Sequence, residues 1–566
     1  MMKIELLKTR YHRFALTYDY TPERVSFSRD LKESFGWDRF SFFSEGELKA
    51  WIFSDSLFIP VIAEKFPELE IGKDVEEIVL HEQKWVNEQK KKIEKIEEVK
   101  TKTDTNFHIK GLKKELYNYQ RVGVEFLVSS GGRALIADSP GLGKTIQALA
   151  YVKHMGFKRT LVVCPASVKF VWEGEVKKWT NLKSVVIDSK TKVADINPTV
   201  QVWVINYDVL RKHFSQLSKV RFDCIVGDES QMLKSPAAIR TKAFRTLSRD
   251  IPSVILLSGT PILSRPGELF SLLNIIDSKT WANWWDYARK YCAMRQTHWG
   301  IDTSGASNID ELHSRIKRYF IRRLKEDVLT ELPPKNFIDL PVQLDKDTAK
   351  EYDTAANNLA VYLRQYSGKQ PPEIAKSMAA EKLTQLNVMR QISATGKIET
   401  AKELIQSVLD SGEKVLVFCS FIAPLEALRE HFADKAVILT GKTPIEDRQG
   451  IVGRFQNDKD VQVFLGGTKS AGTGITLTAA SNVIFLDYSW NPADMQQAQD
   501  RAHRIGTKYE SINIYQLIAK GTIDDDMQST LEHKQGIFDQ IIDGKAAKEV
   551  TASAIDKATE RILKNY

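Results

Sequence analysis

Two glycines, a lysine and a threonine stand together in SPGLGKT, where Gly141, Gly143, Lys144 and Thr145 follow the apolar run RALIAD and open the helix-forming run TIQALAYV. Residues of these types in this order can hold a nucleoside triphosphate. Gly141 and Gly143 let backbone N–H groups close around the β-phosphate, with Pro140 and Leu142 in the same ATP-binding loop, Lys144 reaches the β- and γ-phosphates, and Thr145 can hold Mg²⁺ at a helix N-terminus. The strict phosphate-loop spacing calls for glycine at position 138, where this chain has Asp138.

A second set lies in FDCIVGDESQ, an apolar run that ends in adjacent acids. Asp228 is placed to hold Mg²⁺ through water, and Glu229 to orient or deprotonate an attacking water. Adjacent acids at a strand end also make an ordinary turn, and GKT after a strand also arises by chance. Together, however, cradle, metal ligand and water activator on one sheet are what triphosphate hydrolysis requires. Upstream, Tyr119 and Gln120 in ELYNYQRVGVEFL sit on a predicted helix leading to the cradle, where a glutamine amide can read an adenine edge. The same stretch also reads as a plain amphipathic helix. Much further on, QQAQDRAHRIGT sets Arg501 and Arg504 three apart on a predicted helix, facing one way. They could form a solvated basic face. Yet the first half of the chain aims no arginine at its own cradle, and a pair supplied from elsewhere would complete a clamp on transition-state charge, an effect on the order of 10³–10⁵ in rate.

These residues need sheets to position them. Past residue 110, short β-type runs alternate with longer helical stretches: RALIAD, TLVVCP, QVWVIN, FDCIVGD and SVILLSG, then KVLVFCS, AVILTG, VQVFLGG, NVIFLDY and SINIYQLIA. Buried parallel strands with crossover helices account for the pattern. The expected fold class is α/β: two tandem RecA-like lobes with parallel sheets, a helical insertion between them and a small N-terminal accessory module. The predicted divisions are 1–80 for that module, 81–110 for a charged helical linker, 111–275 for lobe 1 with the ATP-binding site, 276–400 for the helical insertion and inter-lobe connection, 401–525 for lobe 2 with the arginines, and 526–566 for a C-terminal helical brace. The insertion contains WANWWDYARKYC and a run from Asp345 to Gln391 that reads as helix throughout.

The 566 residues exceed what one compact domain holds, and 42% hydrophobic with 27% charged residues is the composition of a globular protein, so disorder is not the default reading. Lys and Arg number 81 against 73 acids, a formal charge of +8 that is compatible with a polyanionic partner without identifying one. Cys164, Cys224, Cys292 and Cys419 lie far apart, giving neither a zinc site nor a disulfide framework. No run approaches the roughly 18 apolar residues of a membrane span. A soluble intracellular protein is expected, in the cytoplasm or nucleoid if the source is prokaryotic or viral and in the nucleus if it is eukaryotic.

The ordered stretches LYNYQRVGVEFL, IADSPGLGKTIQ, VVCPASVKFVWEGE, VINYD, DESQMLKSP, SGTPILSRPGELFSLLN, IRRLKEDVLTELPPK, VLVFCSF, LTGKTPIEDRQGIVGRF, SAGTGITLTAA and DRAHRIG resemble the Swi/Snf-type ATPases of helicase superfamily two. The resemblance covers roughly residues 112–545 and is closest to the HepA-related, annealing-helicase branch. It implies that Ser258, Gly259, Thr260 and Pro261 couple hydrolysis to lobe movement, and that Gln497, Arg501 and Arg504 contact the nucleotide phosphates. This chain departs from the family at Gln231, where histidine is usual, at Ser139 and Pro140, which replace an acidic and an apolar residue, and at Thr507, which replaces glutamine. Gln231 can still donate and accept hydrogen bonds toward the γ-phosphate or Gln497 but cannot titrate, which puts coupling rather than hydrolysis in question.

The resemblance further implies ATP and Mg²⁺ as cofactors and a double-stranded or forked DNA track, with rewinding of separated strands or remodelling of DNA-bound protein as the output of a monomer. Gripping phosphates without reading bases calls for hydroxyls and scattered basic residues at loop tips. Ser167, Lys169, Tyr207, Lys234, Lys469 and Ser470 stand at predicted C-terminal strand ends, and Trp490 follows a strand in DYSWNP. Each also reads as an ordinary surface residue, and Trp490 as packing between sheet and helix. The N-terminal segment interleaves arginines with rings, in Arg10, Tyr11, Arg13, Phe14, Trp37, Phe40, Phe42, Phe43, Trp51 and Phe53. This suits a DNA-structure reader, or a small core with a basic rim. Two other functions fit the same motifs: a strand-separating DNA or RNA helicase, and a non-catalytic nucleic-acid-binding scaffold, against which the intact Lys144, Asp228, Glu229, Arg501 and Arg504 argue.

Overall fold

The computed structural model describes residues 2–6, 14–35, 40–45, 48–53, 58–261, 265–297, 300–329, 331–365, 372–470, 475–504, 506–543 and 562–564. The chain divides into two compact units, Met1–Glu98 and Val99–Tyr566.

In the first unit, β1 (Met2–Leu6), β2 (Phe14–Tyr18), β3 (Phe40–Glu45), β4 (Leu48–Phe53) and β5 (Glu70–Ile71) form one sheet in the order β3-β4-β2-β1-β5. Strand alternation puts Ile4, Phe14, Leu16, Trp51 and Phe53 on one face, where they pack with Phe58, Ile59 and Ile62 of the helix Phe58–Lys65. Several of the rings proposed to read DNA are therefore core. Phe14 and Phe53 are fully buried, and Trp51 donates its indole N–H to the Tyr18 hydroxyl at 2.8 Å; Phe42 is exposed and meets Trp51 edge-on. Arg10, Tyr11, Arg13 and Trp37, and the side chains of Phe40 and Phe43, lie outside the described residues. The charged stretch expected as a linker from residue 81 is part of a longer helix, Lys73–Thr101, that runs from the first unit into the second.

The second unit holds two parallel sheets. The first is built from β6 (Arg133–Ile136), β7 (Thr160–Cys164), β8 (Ser184–Ile187), β9 (Val202–Asn206), β10 (Cys224–Asp228) and β11 (Ser253–Leu257). A short hairpin follows, β12 (Arg295–Thr297) with β13 (Gly300–Asp302), and then β14 (Phe320–Ile321), which closes the order β14-β6-β11-β10-β7-β9-β8. The second comprises β15 (Lys335–Val342), β16 (Val415–Cys419), β17 (Ala436–Leu439), β18 (Val463–Gly467), β19 (Asn482–Phe485) and β20 (Ile512–Ala519), in the order β15-β20-β19-β16-β18-β17. Their central strands are continuous buried runs of Val, Ile, Leu and Phe, as helix cover on both faces demands. Because β6, β11 and β10 are neighbours, the loops at their C-terminal ends, carrying Asp138, Ser258 and Asp228, converge.

The segment between the sheets is helical over Lys346–Gln365 and Pro372–Thr395, as expected, but it also contributes a strand to each sheet. β14 pairs with β6, and β15 pairs with β20. Neither carries a strand-like apolar run: β14 is two residues long, and β15, KNFIDLPV, is a polar edge strand in which Pro341 costs no necessary ladder bond. The segment is thus shared out. Leu269–Ile276, Trp281–Cys292 and Ile309–Phe320 pack into the first lobe's core, while Tyr352–Ala360 and Leu386–Ile392 pack into the second's. The C-terminal helix Ile523–Asp543 joins both, placing Ile523 and Met527 in the second lobe's core and Phe538, Ile541 and Ile542 in the first's. Among the described residues, no helix is long and apolar enough to cross a membrane.

Candidate nucleotide site between the two lobes

The loop after β6 is anchored by the residue that breaks the strict motif. Asp138 is fully buried, ion-paired with Arg323 at 2.5 Å and accepting the Gln147 amide at 2.9 Å. A carboxylate at this position fixes the loop to the strand-to-helix connection and to Arg323, which also donates to the Tyr119 carbonyl and to Gln147. Lys144 Nζ donates to the Asp138 carbonyl at 2.7 Å. The helix begins at Lys144, so Thr145 lies in its first turn, whose free N–H groups are at the loop. Gly143 has φ of 79°, and a Cβ there would come within 2.5 Å of Gln120 Nε2, so only glycine fits.

Gln120 is itself a strut. Its Oε1 accepts the Tyr117 N–H at 3.1 Å and its Nε2 donates to the Leu142 carbonyl at 3.2 Å, so both polar atoms expected to read adenine are engaged within the protein. Tyr119 is buried with the Arg323 guanidinium over its ring, and stacks on the half-exposed Tyr117 with centroids 5.7 Å apart.

Asp228 ends β10. Its Oδ2 accepts the Trp172 indole N–H at 2.8 Å, and its carbonyl accepts the Tyr207 hydroxyl at 2.7 Å. Burial, reinforced by Glu229, pushes its carboxyl upward, while burial pulls the Lys144 ammonium downward against the attraction of Glu229, Asp138 and Asp228. A cation beside Asp228 would relieve this frustrated charge. Glu229 has φ of 49°, a strained conformation for a residue with a side chain. Gln231 Nε2 donates to its Oε2 at 2.6 Å, Ser258 Oγ donates to Gln231 Oε1 at 2.6 Å, and the Thr260 N–H donates to Ser258 Oγ at 3.1 Å. One chain of hydrogen bonds therefore links the candidate base to the candidate coupling loop. Gln231 faces Glu229 and Ser258 rather than Gln497. Gly259 closes the loop against the cradle, since a Cβ on it would lie 3.0 Å from Pro140 and 3.4 Å from Lys144 Nζ.

The two arginines come from the other lobe, on a turn rather than on the expected helix. The helix Pro492–Gln499 ends as the Arg501 N–H shifts to the Ala498 carbonyl, an i to i−3 bond. Both guanidinium groups still converge, donating to the Ile475 carbonyl at 3.0 and 3.1 Å. Arg501 also donates to the Gln497 carbonyl at 3.1 Å, and Arg504 to Thr476 Oγ1 at 2.8 Å. Burial and the neighbouring Arg504 lower Arg501 to about 10, and Glu229 is among the acids that oppose the shift. Arg504 reaches the phosphate loop itself: a Cβ on Gly141 would lie 3.4 Å from Arg504 Cγ and Nε.

The stretch IRRLKEDV carries no expected site residue. In the structure Arg322 donates to the carbonyls of Ala137 (2.9 Å) and Gly259 (3.1 Å), Arg323 neutralises Asp138, and Lys325 contacts the opposite lobe. An acid inside a phosphate loop needs a cation, and that was the available signal for Arg323. Beside these residues a cavity of about 960 Å³ opens between the lobes, lined in part by Ser139, Lys325, Lys335, Asp500 and His503.

The residues proposed to grip DNA do lie at C-terminal strand ends, but not all are accessible. Ser167 and Lys169 follow β7 and are part-exposed; Lys469, past β18, is exposed, with Ser470 donating to the Gly467 carbonyl at 3.2 Å. Lys234 pairs with Glu268 at 3.1 Å. Tyr207 is 1% exposed, its ring in the first lobe's core and its hydroxyl on Asp228, so it offers no surface to a duplex in this conformation. Trp490 packs against the second lobe's core, with its N–H on Asn387 at 3.2 Å and Arg390 over its ring. The neighbouring residues 471–474 lie outside the described residues.

Two parallel-sheet lobes, one with a phosphate loop and paired acids and the other bringing Arg504 to that loop with Arg501 beside it, define a two-lobed nucleotide-binding protein. The SNF2-related domain model matches residues 119–401, and the helicase conserved C-terminal domain model matches residues 396–506. The chain belongs to the SNF2-related family. Among its relatives, the Bos taurus protein described as DNA annealing helicase and endonuclease ZRANB3 is 33% identical over 456 residues, covering 77% of this chain and 41% of the relative. The Caenorhabditis elegans homolog of SWI/SNF-related matrix-associated actin-dependent regulator of chromatin subfamily A-like protein 1 is 34% identical over 443 residues, covering 75% of this chain and 62% of the relative. The chain spans between about two-fifths and three-fifths of the length of these relatives. The Sulfolobus solfataricus SWI2/SNF2 ATPase core in complex with dsDNA is similar at a TM-score of 0.39 and 26% identity, over 81% of this chain and 98% of that one.

Proposed function

We propose that the chain is a DNA-dependent ATPase that translocates on double-stranded or forked DNA, its output being the rewinding of separated strands or the remodelling of protein bound to DNA. The observation that carries this reading is the position of Arg504 over Gly141, which brings a cation of one lobe onto the phosphate loop of the other.

ATP phosphates take the place that the Asp138 carbonyl holds on Lys144, and the first-turn N–H groups and Arg504 surround them. Thr145 and Asp228 are the residues that would hold Mg²⁺, and the raised carboxyl of Asp228 fits a group that favours a cation beside it. Bound there, the metal would neutralise charge on the β- and γ-phosphates. Glu229, oriented by Gln231, accepts the proton of the attacking water. Arg501 and Arg504 stabilise charge on the transferred group, so hydrolysis occurs only with the lobes apposed. Loss of the γ-phosphate is then felt by Gln231, Ser258 and Thr260, and alternating apposition moves the lobes along a phosphate backbone contacted from Ser167, Lys169, Lys469 and Ser470. DNA as the track rests on the relatives' described DNA annealing activity. The chain acts as a monomer, since both halves of the site come from one chain.

The test is ATP turnover by the full chain without nucleic acid and with single-stranded DNA, duplex DNA, forked DNA or RNA, with Glu229→Gln as the inactive reference. Stimulation by duplex or forked DNA is expected. Stimulation by RNA or single strands alone would favour a strand-separating helicase, and no turnover under any condition a binding scaffold.

A further inference from the structure

Arg322, Arg323 and Lys325 fall within four residues yet hold different lobes. The two arginines grip the first lobe's loops, whereas Lys325 turns the other way, its Nζ donating to the His503 carbonyl at 2.6 Å and pairing with Asp500 Oδ1 at 2.9 Å. Its Cε lies 3.2 Å from the Cβ position of Gly141, next to Arg504. The same Asp500 oxygen takes Lys335 of β15 at 3.0 Å, and Asp500 is only 2% exposed. Asp500 immediately precedes Arg501, and His503 immediately precedes Arg504. One ammonium therefore touches the turn at the residue before each arginine, while its side chain lies against the phosphate loop.

Such a lysine is costly to bury. Burial lowers it to about 8, against the pull of Asp500. Buried ion pairs add little stability relative to apolar packing, and their best-attested use is to fix one register among several. The register available here is that of the arginine turn against the phosphate loop.

We propose that Lys325 is a positioning residue for hydrolysis: by holding Asp500 and the His503 carbonyl, it sets Arg501 and Arg504 at the level of the phosphate loop. The proposal rests on the ATPase reading and adds a residue from outside both recognised arginine and phosphate motifs.

The test uses the full chain with Lys325→Met, Lys325→Arg, Asp500→Asn and the Lys325→Met/Asp500→Asn pair. Three quantities are measured: affinity for a fluorescent non-hydrolysable ATP analogue with Mg²⁺, kcat and KM of duplex-stimulated turnover, and amide hydrogen exchange. Lys325→Met is expected to bind the analogue within about threefold of wild type and to lose ~10²-fold or more in kcat, in the range of a displaced arginine finger. Exchange should quicken across residues 500–504 while β16, β18 and β19 keep their protection, the pair of changes should be no worse than Lys325→Met alone, and Lys325→Arg should restore part of kcat. Lys325→Met with kcat within about twofold of wild type, or with faster exchange throughout the second lobe, overturns the proposal. Absence of turnover in the wild-type chain would instead defeat the ATPase reading, and the exchange at 500–504, which needs no turnover, would still decide whether Lys325 holds the turn.

Discussion

Arg504 lies against Gly141, the arginine of one lobe bordering the phosphate loop of the other. A Cβ at Gly141 would meet Lys325 Cε at 3.2 Å and Arg504 Cγ at 3.4 Å, on a backbone with φ of 92°. Gly141→Ala should therefore strain the loop, by about 1–2 kcal/mol, and crowd the Lys325 side chain beside the arginine turn. Nucleotide affinity is expected to fall roughly tenfold and turnover further. Equilibrium binding of a nucleotide analogue, compared with kcat, checks this; unchanged affinity and rate would mean that loop and turn are not in register.

Asp138 and Arg323 form a buried pair whose carboxylate is inaccessible to solvent. Asp138→Ala leaves the guanidinium unpaired at a cost of about 3–5 kcal/mol. Asp138→Gly, which restores the strict loop spacing, should destabilise at least as much. Chemical denaturation of both variants measures it, and a gain in stability by the glycine variant would refute the anchoring role.

Gln231 bridges Glu229 and Ser258 at 2.6 Å on either side. Gln231→Leu removes both hydrogen bonds at once and should lower DNA-stimulated turnover by about 10–100-fold, the equivalent of one or two buried polar groups left unsatisfied. Nucleotide affinity should be preserved, and Gln231→His should retain more activity than the leucine variant. Equal rates for all three would show that no signal passes along this chain.

His503 binds the Pro333 carbonyl through Nε2 at 2.8 Å, and burial, with Lys335 and Lys325 nearby, lowers it to about 4. A folded-state value below the ordinary ~6.5 means a contribution to stability that is complete above pH 6.5 and is lost as the pH falls from there through 4. His503→Gln abolishes that titration, so its Tm should depend less on pH across this window than the Tm of wild type. Parallel curves would exclude His503 as a source of acid sensitivity.

What was legible in the sequence was what is local. The phosphate loop, the acids after β10 and all ten apolar strand runs declare themselves within a few residues, because a buried parallel strand needs a continuous apolar stretch and a phosphate cradle needs glycines beside a helix start. β8, β14 and β15 were not legible: SVVI is short, FI shorter, and KNFIDLPV is an edge strand whose polar residues face solvent. In the site, Arg323 reaches Asp138 across 185 positions and Lys325 reaches His503 across 178, and no periodicity reports contacts of that range. Tyr207 followed a strand end as a surface residue would, yet it is held inside by the Asp228 carbonyl.

The most direct measurement pairs nucleotide binding with turnover in Arg504→Ala. A site assembled from both lobes predicts affinity within about threefold of wild type and turnover lower by ~10³ or more, the scale of a lost arginine finger. Full turnover by Arg504→Ala would contradict it.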